Sequence, residues 1–555
     1  MNPKIIKADR YKKTTSKEAK IKKDRLFKER KYKEDRFVTS GNSKIKASRH
    51  RKKRNQANAL KIVACIIVLF LIGVISKKIV KLDNIPLIKA FFNDDDKEFV
   101  KNYDLKIGIY NTNNENNSDI KLSKNITISE LARLSNLTLV SYYEDYKINN
   151  VLAEKITTED NQSFLIEINK EYKVSAENVK KCIESIINLG DASIYYENVK
   201  NISNIDVIDE NTLNIRLKDK NPYFVYSLNF PLFDINNKSG SIFSLEQASS
   251  DNINFKSNET GKNIESINLK NYTNDSSLVD DFRNQSIDMF TTTSESTVNL
   301  IGKYEYSIKK VRNGESIFLL GNKDSDLFSR KEVRQAIAYS LNREELIKSI
   351  SNSFGEIIDL PYIYSNISYK YDTYAATNAL LARGWKKAGG VYTLYDNNKR
   401  TDLVLNVLVN KDDSTKVKLS EDLKEMLEKN SIKLELQLLS QDEINEKIKN
   451  KEYDLVIANV NMNENPDITY IKEYININNN IKYAMDDVEN NTDVELLNEK
   501  IANLQNVLSE EIACIGICAY DTDVIYQKYI VGFDDLKYLN IFNKFTSLGR
   551  VQKID

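Results

Sequence analysis

Between residues 403 and 460 the spacing of apolar positions changes repeatedly, and each change marks an element. Leu403 to Val409 is a short, nearly continuous apolar run, as expected of a strand covered on both faces. Residues 420–429 place Leu423, Met426 and Leu427 at helical spacing. Ile432, Leu434, Leu436 and Leu438 then alternate with Lys433, Glu435 and Gln437, a period of two. Ser440 with Glu443 makes a capping box for another helix, and Tyr453 to Val460 is again strand-like. The order β-α-β-α-β predicts a doubly wound α/β sheet. Ser329 with Glu332 and Asn342 with Glu345 predict two further capped helices, the first turning Val333, Ala336 and Ile337 inward, the second Leu346, Ile347 and Ile350. Ser175 is expected to cap a helix that buries Val179, Cys182, Ile183 and Ile186. The Asn-rich patches at 111–118, 475–480 and 489–492 read as loops. With 16 Gly and 6 Pro there is no flexible linker in the body, so its parts should pack together.

The pattern differs at the N-terminus. Residues 1–56 have few apolar positions and no periodicity, and read as a disordered or loosely helical arm. Ile62 to Ile75 is then an unbroken apolar run of 14 residues, which Ala59, Leu60 and a snorkelling Lys61 extend to 17, the short end of what spans a bilayer. Charge orients it. Residues 1–54 carry 22 Lys/Arg and 6 Asp/Glu, leaving 59 and 74 for the rest of the chain. The positive-inside rule therefore puts the tail in the cytoplasm and the body outside, with the juxtamembrane cations favouring anionic lipid. That run directly after Arg49, Arg51, Lys52, Lys53 and Arg54 disfavours nucleic acid as the tail's partner. A cleaved signal peptide would need a short n-region, whereas this one exceeds 50 residues. Ile62-Val63-Ala64-Cys65 resembles an acylation box, but its apolar run follows Cys65 when it should precede it. The expected organisation is tail 1–56, anchor 57–78 with residues 59–75 in the membrane, and linker 79–100.

Composition narrows the chemistry. The one histidine is His50, in the tail, so the body can hold no Ser-His-Asp or Cys-His arrangement and no His-containing zinc site. An enzyme is not expected, nor a metal or other cofactor. Cys514 and Cys518, four apart on a strand, would lie about 13 Å apart, beyond the roughly 4.4–6.8 Å of a disulfide. Cys65, Cys182 and that pair read as small core residues.

The order of segments resembles the family 5 extracellular solute-binding proteins, the peptide-, oligopeptide- and nickel-binding partners of ABC importers. Leu131-Ala132-Arg133-Leu134 is similar to the family's early helix, Asn150-Val151-Leu152-Ala153-Glu154 to its "P-x-LAE" turn, and Tyr172 through Val179 to its "TAEDV" helix start. Asp209 through Leu213 and Ser286-Ile287-Asp288 follow in the family's order. Glu332 through Glu344 resembles "VRQAIAYAIDRE", Ala379 through Trp385 resembles "LLAEAGW", and Tyr453-Asp454-Leu455 stands where the family has "FDL". The resemblance covers residues 105–545. It implies a two-lobed, periplasmic-binding-protein-like fold of the large peptide-binding type II class. Lobe I would be 101–310 plus the return 515–555, and lobe II 311–514. Ligand would be enclosed between them, and the permease subunits of an importer are the implied partners.

Ligands of open α/β sheets bind beyond the carboxyl ends of strands, which selects Tyr110 and Asn111 after one strand and Asn459 to Asn465 after another. Within the second stretch Asn459, Asn461, Met462, Asn463 and Glu464 are the candidate contacts. The plain alternative is a polar loop in an Asn-rich chain. In the family's peptide binders this segment carries an aspartate that pairs with the peptide's α-amino group. Anchored on Pro466, that position holds Met462, and the tryptophan position holds Asn459. A buried ammonium there would lack its carboxylate at a cost of several kcal/mol, which points to a less charged, peptide-like solute unless Glu464 substitutes. Two functions compete: a solute receptor for an importer, and a membrane-anchored sensor or assembly protein that reuses the fold. The 56-residue inward tail favours the second. An extracellular hydrolase is disfavoured, a Ser-Lys pair being its remaining route. Trp385 reads as core at a helix end.

Overall fold

A computed structural model describes residues 99–100, 102–110, 126–233, 241–249, 252–259, 263–350, 355–396, 399–533, 537 and 548–551. All belong to one compact unit, Lys97–Asp555. The expected tail, anchor and most of the linker, and Asn111, lie outside the described residues. Among the described residues no helix is long and apolar enough to cross a membrane.

Ten strands form one continuous sheet. In chain order they are β1 (Tyr103–Tyr110), β2 (Phe243–Ala248), β3 (Asn252–Ser257), β4 (Ile264–Tyr272), β5 (Met289–Thr292), β6 (Ser307–Gly321), β7 (Val404–Asn410), β8 (Lys433–Leu439), β9 (Leu455–Asn461) and β10 (Ile515–Tyr526). Their spatial order is β8-β7-β9-β6-β10-β5-β1-β4-β3-β2. At one side β7 runs parallel to both β8 and β9, and at the other β1 runs parallel to both β4 and β5. Two long antiparallel strands, β6 and β10, join these halves. Residues 307–312 of β6 pair with 521–526 of β10, and 316–319 pair with 515–519. Between these blocks residues 313–315 face Tyr520 alone, a break in register in the middle of the crossing. Gly314 sits there at φ +94, and a Cβ on it would stand 2.6 Å from the Met462 carbonyl oxygen. Only glycine fits that approach.

The alternation read between 403 and 460 folds as expected, with shifted bounds. Helices Ser414–Lys429 and Gln441–Asn450 separate β7, β8 and β9. Asp413 caps the first of these, starting it earlier than its apolar spacing alone indicated, and Ser440 with Glu443 forms the capping box of the second. Leu405, Val407 and Val409 on one face of β7 pack with Leu419, Leu423 and Leu427 in a single core. Trp385 lies in the same core and its Nε1 donates to Glu332. The expected Ser329–Glu332 capping box does not form. Helix Lys331–Ser340 has no side-chain cap, because Ser329 is held in a preceding turn in which Ser325 Oγ accepts from the amides of Leu327 and Phe328. The Ser329 carbonyl instead accepts from Arg334 at 2.7 Å. Arg343–Ile350 follows, with Asn342 and Glu345 bonded reciprocally as expected.

Residues 138–233 form an insertion built on an antiparallel sheet of Ala153–Thr158, Ser163–Ile168, Thr212–Leu217 and Ile202–Asp209. Helix Ala176–Leu189 backs it, capped by Ser175 and Asn178, and buries Val179, Cys182, Ile183 and Ile186. A hairpin of Val140–Tyr142 and Ile148–Asn150 precedes it. Cys182, Cys514 and Cys518 are buried and unbridged.

Candidate functional site

The side chains with the most chemistry at their disposal meet where the insertion and helix Ile126–Ser135 face the segment after β9 and the stretch 355–369. Helix Ile126–Ser135 turns Ile128, Leu131 and Ala132 into the core and leaves Arg133 half-buried at its C-terminal end. Arg133 donates to Glu464 at 3.0 Å, across 331 residues of chain. Each side chain keeps about a quarter of its surface exposed (27% and 24%). The pair is therefore only partly desolvated, a setting in which ion pairs add little net stability.

Behind it stands a wall of tyrosines drawn from both sides of the junction. Tyr142 and Tyr146 come from the hairpin, Tyr226 from the short helix Phe224–Ser227, and Tyr362 and Tyr364 from the irregular stretch. Tyr226 packs edge-on to Tyr142 at 5.1 Å and its hydroxyl donates to the Tyr146 carbonyl at 2.8 Å. The Tyr146 ring lies 5.3 Å from Tyr364 and 6.3 Å from Tyr362. Aromatic pairs in such geometry add about 0.5–1.5 kcal/mol beyond their buried area. Burial pushes the hydroxyls of Tyr142, Tyr362 and Tyr364 well above their ordinary range, and the negative charge of Glu464 adds to the effect on Tyr142 and Tyr364. They remain neutral donors. The Tyr362 hydroxyl is buried without a hydrogen-bond partner.

Tyr110 ends β1 with 40% of its surface exposed. Asn459 and Asn461 do not lie beyond β9 as expected. They lie within it, paired with Ile317 and Glu315, because the strand continues to residue 461. Period-two alternation turns both outward and buries Val460, whose carbonyl accepts from Ser316 Oγ at 2.8 Å. Met462 is 4% exposed, and its amide donates to the Gly314 carbonyl at 2.8 Å. The position at which the resemblance implied an aspartate thus holds an apolar side chain pinned to a crossing strand. Asn463 is exposed. Glu464, two residues on, is the candidate carboxylate that reaches the junction, and Asn465 donates to Ser227 Oγ at 3.3 Å.

Sequence reasoning missed Arg133 as a contact and missed the tyrosines. Arg133 was visible within Leu131-Ala132-Arg133-Leu134, which was read only for its resemblance to the family's early helix. Tyr362 and Tyr364 flank Ile363 after Pro361 with no periodicity to mark them. Among the described residues no group of three or more His, Cys, Asp or Glu side chains could hold a metal ion.

Comparison with known proteins gives a consistent result. The model of the bacterial extracellular solute-binding proteins, family 5 Middle, matches residues 147–480, more than half of the chain. A nickel ABC transporter structure from Bacillus halodurans is 16% identical, covers 80% of this chain and 99% of its own, and has a TM-score of 0.64. A periplasmic murein tripeptide binding protein in its unliganded open form is 14% identical over 82% of this chain and 99% of that one, at 0.61. An ABC transporter substrate-binding protein from Sinorhizobium meliloti is 14% identical over 81% and 100%, at 0.60. At these identities the likeness establishes the fold. No curated protein matches the sequence.

Proposed function

Since the chain belongs to the bacterial extracellular solute-binding proteins of family 5, we propose that it binds a peptide or peptide-like solute between its two lobes and delivers it to the permease subunits of an ABC importer. Lobe I is taken as 101–310 with 515–555, and lobe II as 311–514. The observation that carries the reading is the convergence at one junction of Arg133, Tyr142, Tyr146 and Tyr226 from one side with Tyr362, Tyr364 and Glu464 from the other. The five tyrosines are 1–8% exposed and packed on one another, so their faces and hydroxyls, which suit a ligand with apolar side groups and amide polar atoms, meet it when the two sides part. Glu464 and Arg133 can each exchange their mutual bond for one to a ligand charge, because neither is deeply desolvated. Binding stabilises the closed arrangement by the ligand's differential affinity for it. No enzymatic step is part of this reading.

The proposal places residues 59–75 in the membrane, the tail in the cytoplasm and the body outside, on the strength of the apolar run and the charge asymmetry. The second reading, a membrane-anchored sensor or assembly protein, is favoured by the 56-residue tail and by Met462 at the aspartate position. A thermal-shift screen of residues 97–555 against peptide pools separates the two. A receptor gains about 2.7 kcal/mol at a hundred times its Kd, read as a melting temperature raised by a few degrees. No shift with any pool, together with a partner captured only when residues 1–56 are present, favours the sensor.

A further inference from the structure

Residues 355–369 have no regular secondary structure, yet Ile358, Asp359, Leu360, Tyr362, Ile363, Tyr364 and Ser365 are all buried. A buried irregular segment needs partners for its backbone polar groups, and several of those it finds lie on the crossing strands. Glu356 accepts from the Ala519 amide at 2.9 Å and the Gly355 amide donates to the Ala519 carbonyl at 3.2 Å. The fit is close: a Cβ on Gly516 would lie 1.9 Å from the Ile358 carbonyl oxygen. The strongest tie is Arg312, 2% exposed, which is the last residue of β6 paired before the register breaks. Its Nη1 donates to the carbonyls of Ile363 at 2.7 Å and Ser365 at 3.1 Å, and its Nη2 donates to Glu356 at 2.6 Å. One planar guanidinium thus holds the strap at both ends of the run that carries Tyr362 and Tyr364.

We propose that Arg312 is a positioning residue which couples the bend of the crossing strands to the placement of the tyrosine wall. The residue it grips, Ile363, lies between the two tyrosines that meet Tyr146 across the junction. A change of angle where β6 and β10 lose register moves Arg312, and Arg312 moves the Ile363 and Ser365 carbonyls with it. The inference rests on reading the junction as the binding site, but its test needs no solute, so its failure is distinguishable from that of the solute screen.

The test uses the full chain in detergent with Cys65→Ala and spin labels at Lys256→Cys and Lys429→Cys. Both positions are more than half exposed, on opposite halves, while Cys182, Cys514 and Cys518 are buried. The unsubstituted junction should give one narrow distance distribution. Arg312→Met should at least double its width and speed amide exchange of residues 362–365 at least tenfold. Tyr146→Ala should broaden it too, and Arg312→Met with Tyr146→Ala should be no broader than Arg312→Met alone, since both cut one linkage. Should Arg312→Met fail to fold, Arg312→Lys, which keeps a charge for Glu356 but loses the planar fork, carries the same comparison. A lowered melting temperature with an unchanged distribution would overturn the proposal, as would additive broadening in the double variant.

Discussion

Two ion pairs lie within the same part of the molecule and have opposite characters. Arg343 and the strap residue Asp359, 1% and 0% exposed, meet at 2.9 Å. Arg343 also donates to the carbonyls of Gly516 and Tyr369, both at 2.9 Å, and the Tyr369 amide donates to Asp359 at 2.6 Å. Arg133 and Glu464, a quarter exposed, meet at 3.0 Å at the edge of the tyrosine wall. The first pair ties helix Arg343–Ile350 to the strap, and Arg343 carries the tie on to Gly516 of β10. The second bridges two sides that are also joined by Asn161, which donates to the carbonyls of Glu489 and Asn491, and by Asn465, which donates to Ser227. Burial decides which charge pair is a fixed part of the architecture and which can be traded for a ligand.

The largest effect should come from breaking the buried pair. Asp359→Ala or Arg343→Met should each cost about 3–5 kcal/mol, because an unpaired charge is left behind, and urea denaturation measures it. Replacing both, as Arg343→Met with Asp359→Leu, should cost less than either single change. A double variant worse than both singles would remove the contrast. Asp521 lies between the extremes, 8% exposed and directly across from Arg312. Burial pushes its carboxyl up to about 6 from the ordinary 3.8, with Lys310 pulling the other way. An acid whose folded pKa is raised binds more protons folded than unfolded, so its contribution is full below about pH 4 and is lost as pH rises through about 6. Asp521→Asn should therefore gain about 1–3 kcal/mol relative to the parent above pH 6 and nothing below pH 4, as melting temperatures across that range will show. At the exposed pair, Arg133→Met should change stability by about 0–1 kcal/mol while weakening any solute found in the screen at least tenfold. A large stability loss there would make the two pairs alike. The smallest change is expected of Tyr362→Phe, which removes a buried hydroxyl lacking a partner and should be neutral or slightly stabilising.

The same division governs what was legible in the sequence. The alternation at 403–460 was readable because each element's burial is written in local spacing: a nearly continuous apolar run from Leu403 to Val409, then Leu423 and Leu427 at helical period. Where a cap was expected, at Ser329, local reading failed, since Ser329 belongs to the preceding turn, its amide donating to the Ser325 carbonyl, and the helix starts from Arg330. At the junction the failure has a different cause. Arg133 and Glu464 are joined only by the fold, and the strap is buried without periodicity because Arg312, Arg343 and β10 satisfy much of its backbone alongside short turns of its own at Leu360–Tyr362 and Tyr362–Ser365. Met462 was identified as a departure from an aspartate, but its burial against Gly314 depends on a strand 148 residues earlier. Asn461 was misplaced because β9 runs on one residue further than its apolar run, whereas Asn459 already lay inside that run.

The skipped residues at 313–315 have a mechanical consequence. Where they occur, β10 has a single residue, Tyr520, to span the same interval, and a little further along the surplus is reversed, Ile517 of β10 lying between the pairs Ile317–Cys518 and Phe318–Gly516 with no residue of β6 opposite. Each crossing strand therefore carries its own slack, β6 at 313–315 and β10 at Ile517, so the crossing can yield in either sense before ladder bonds break.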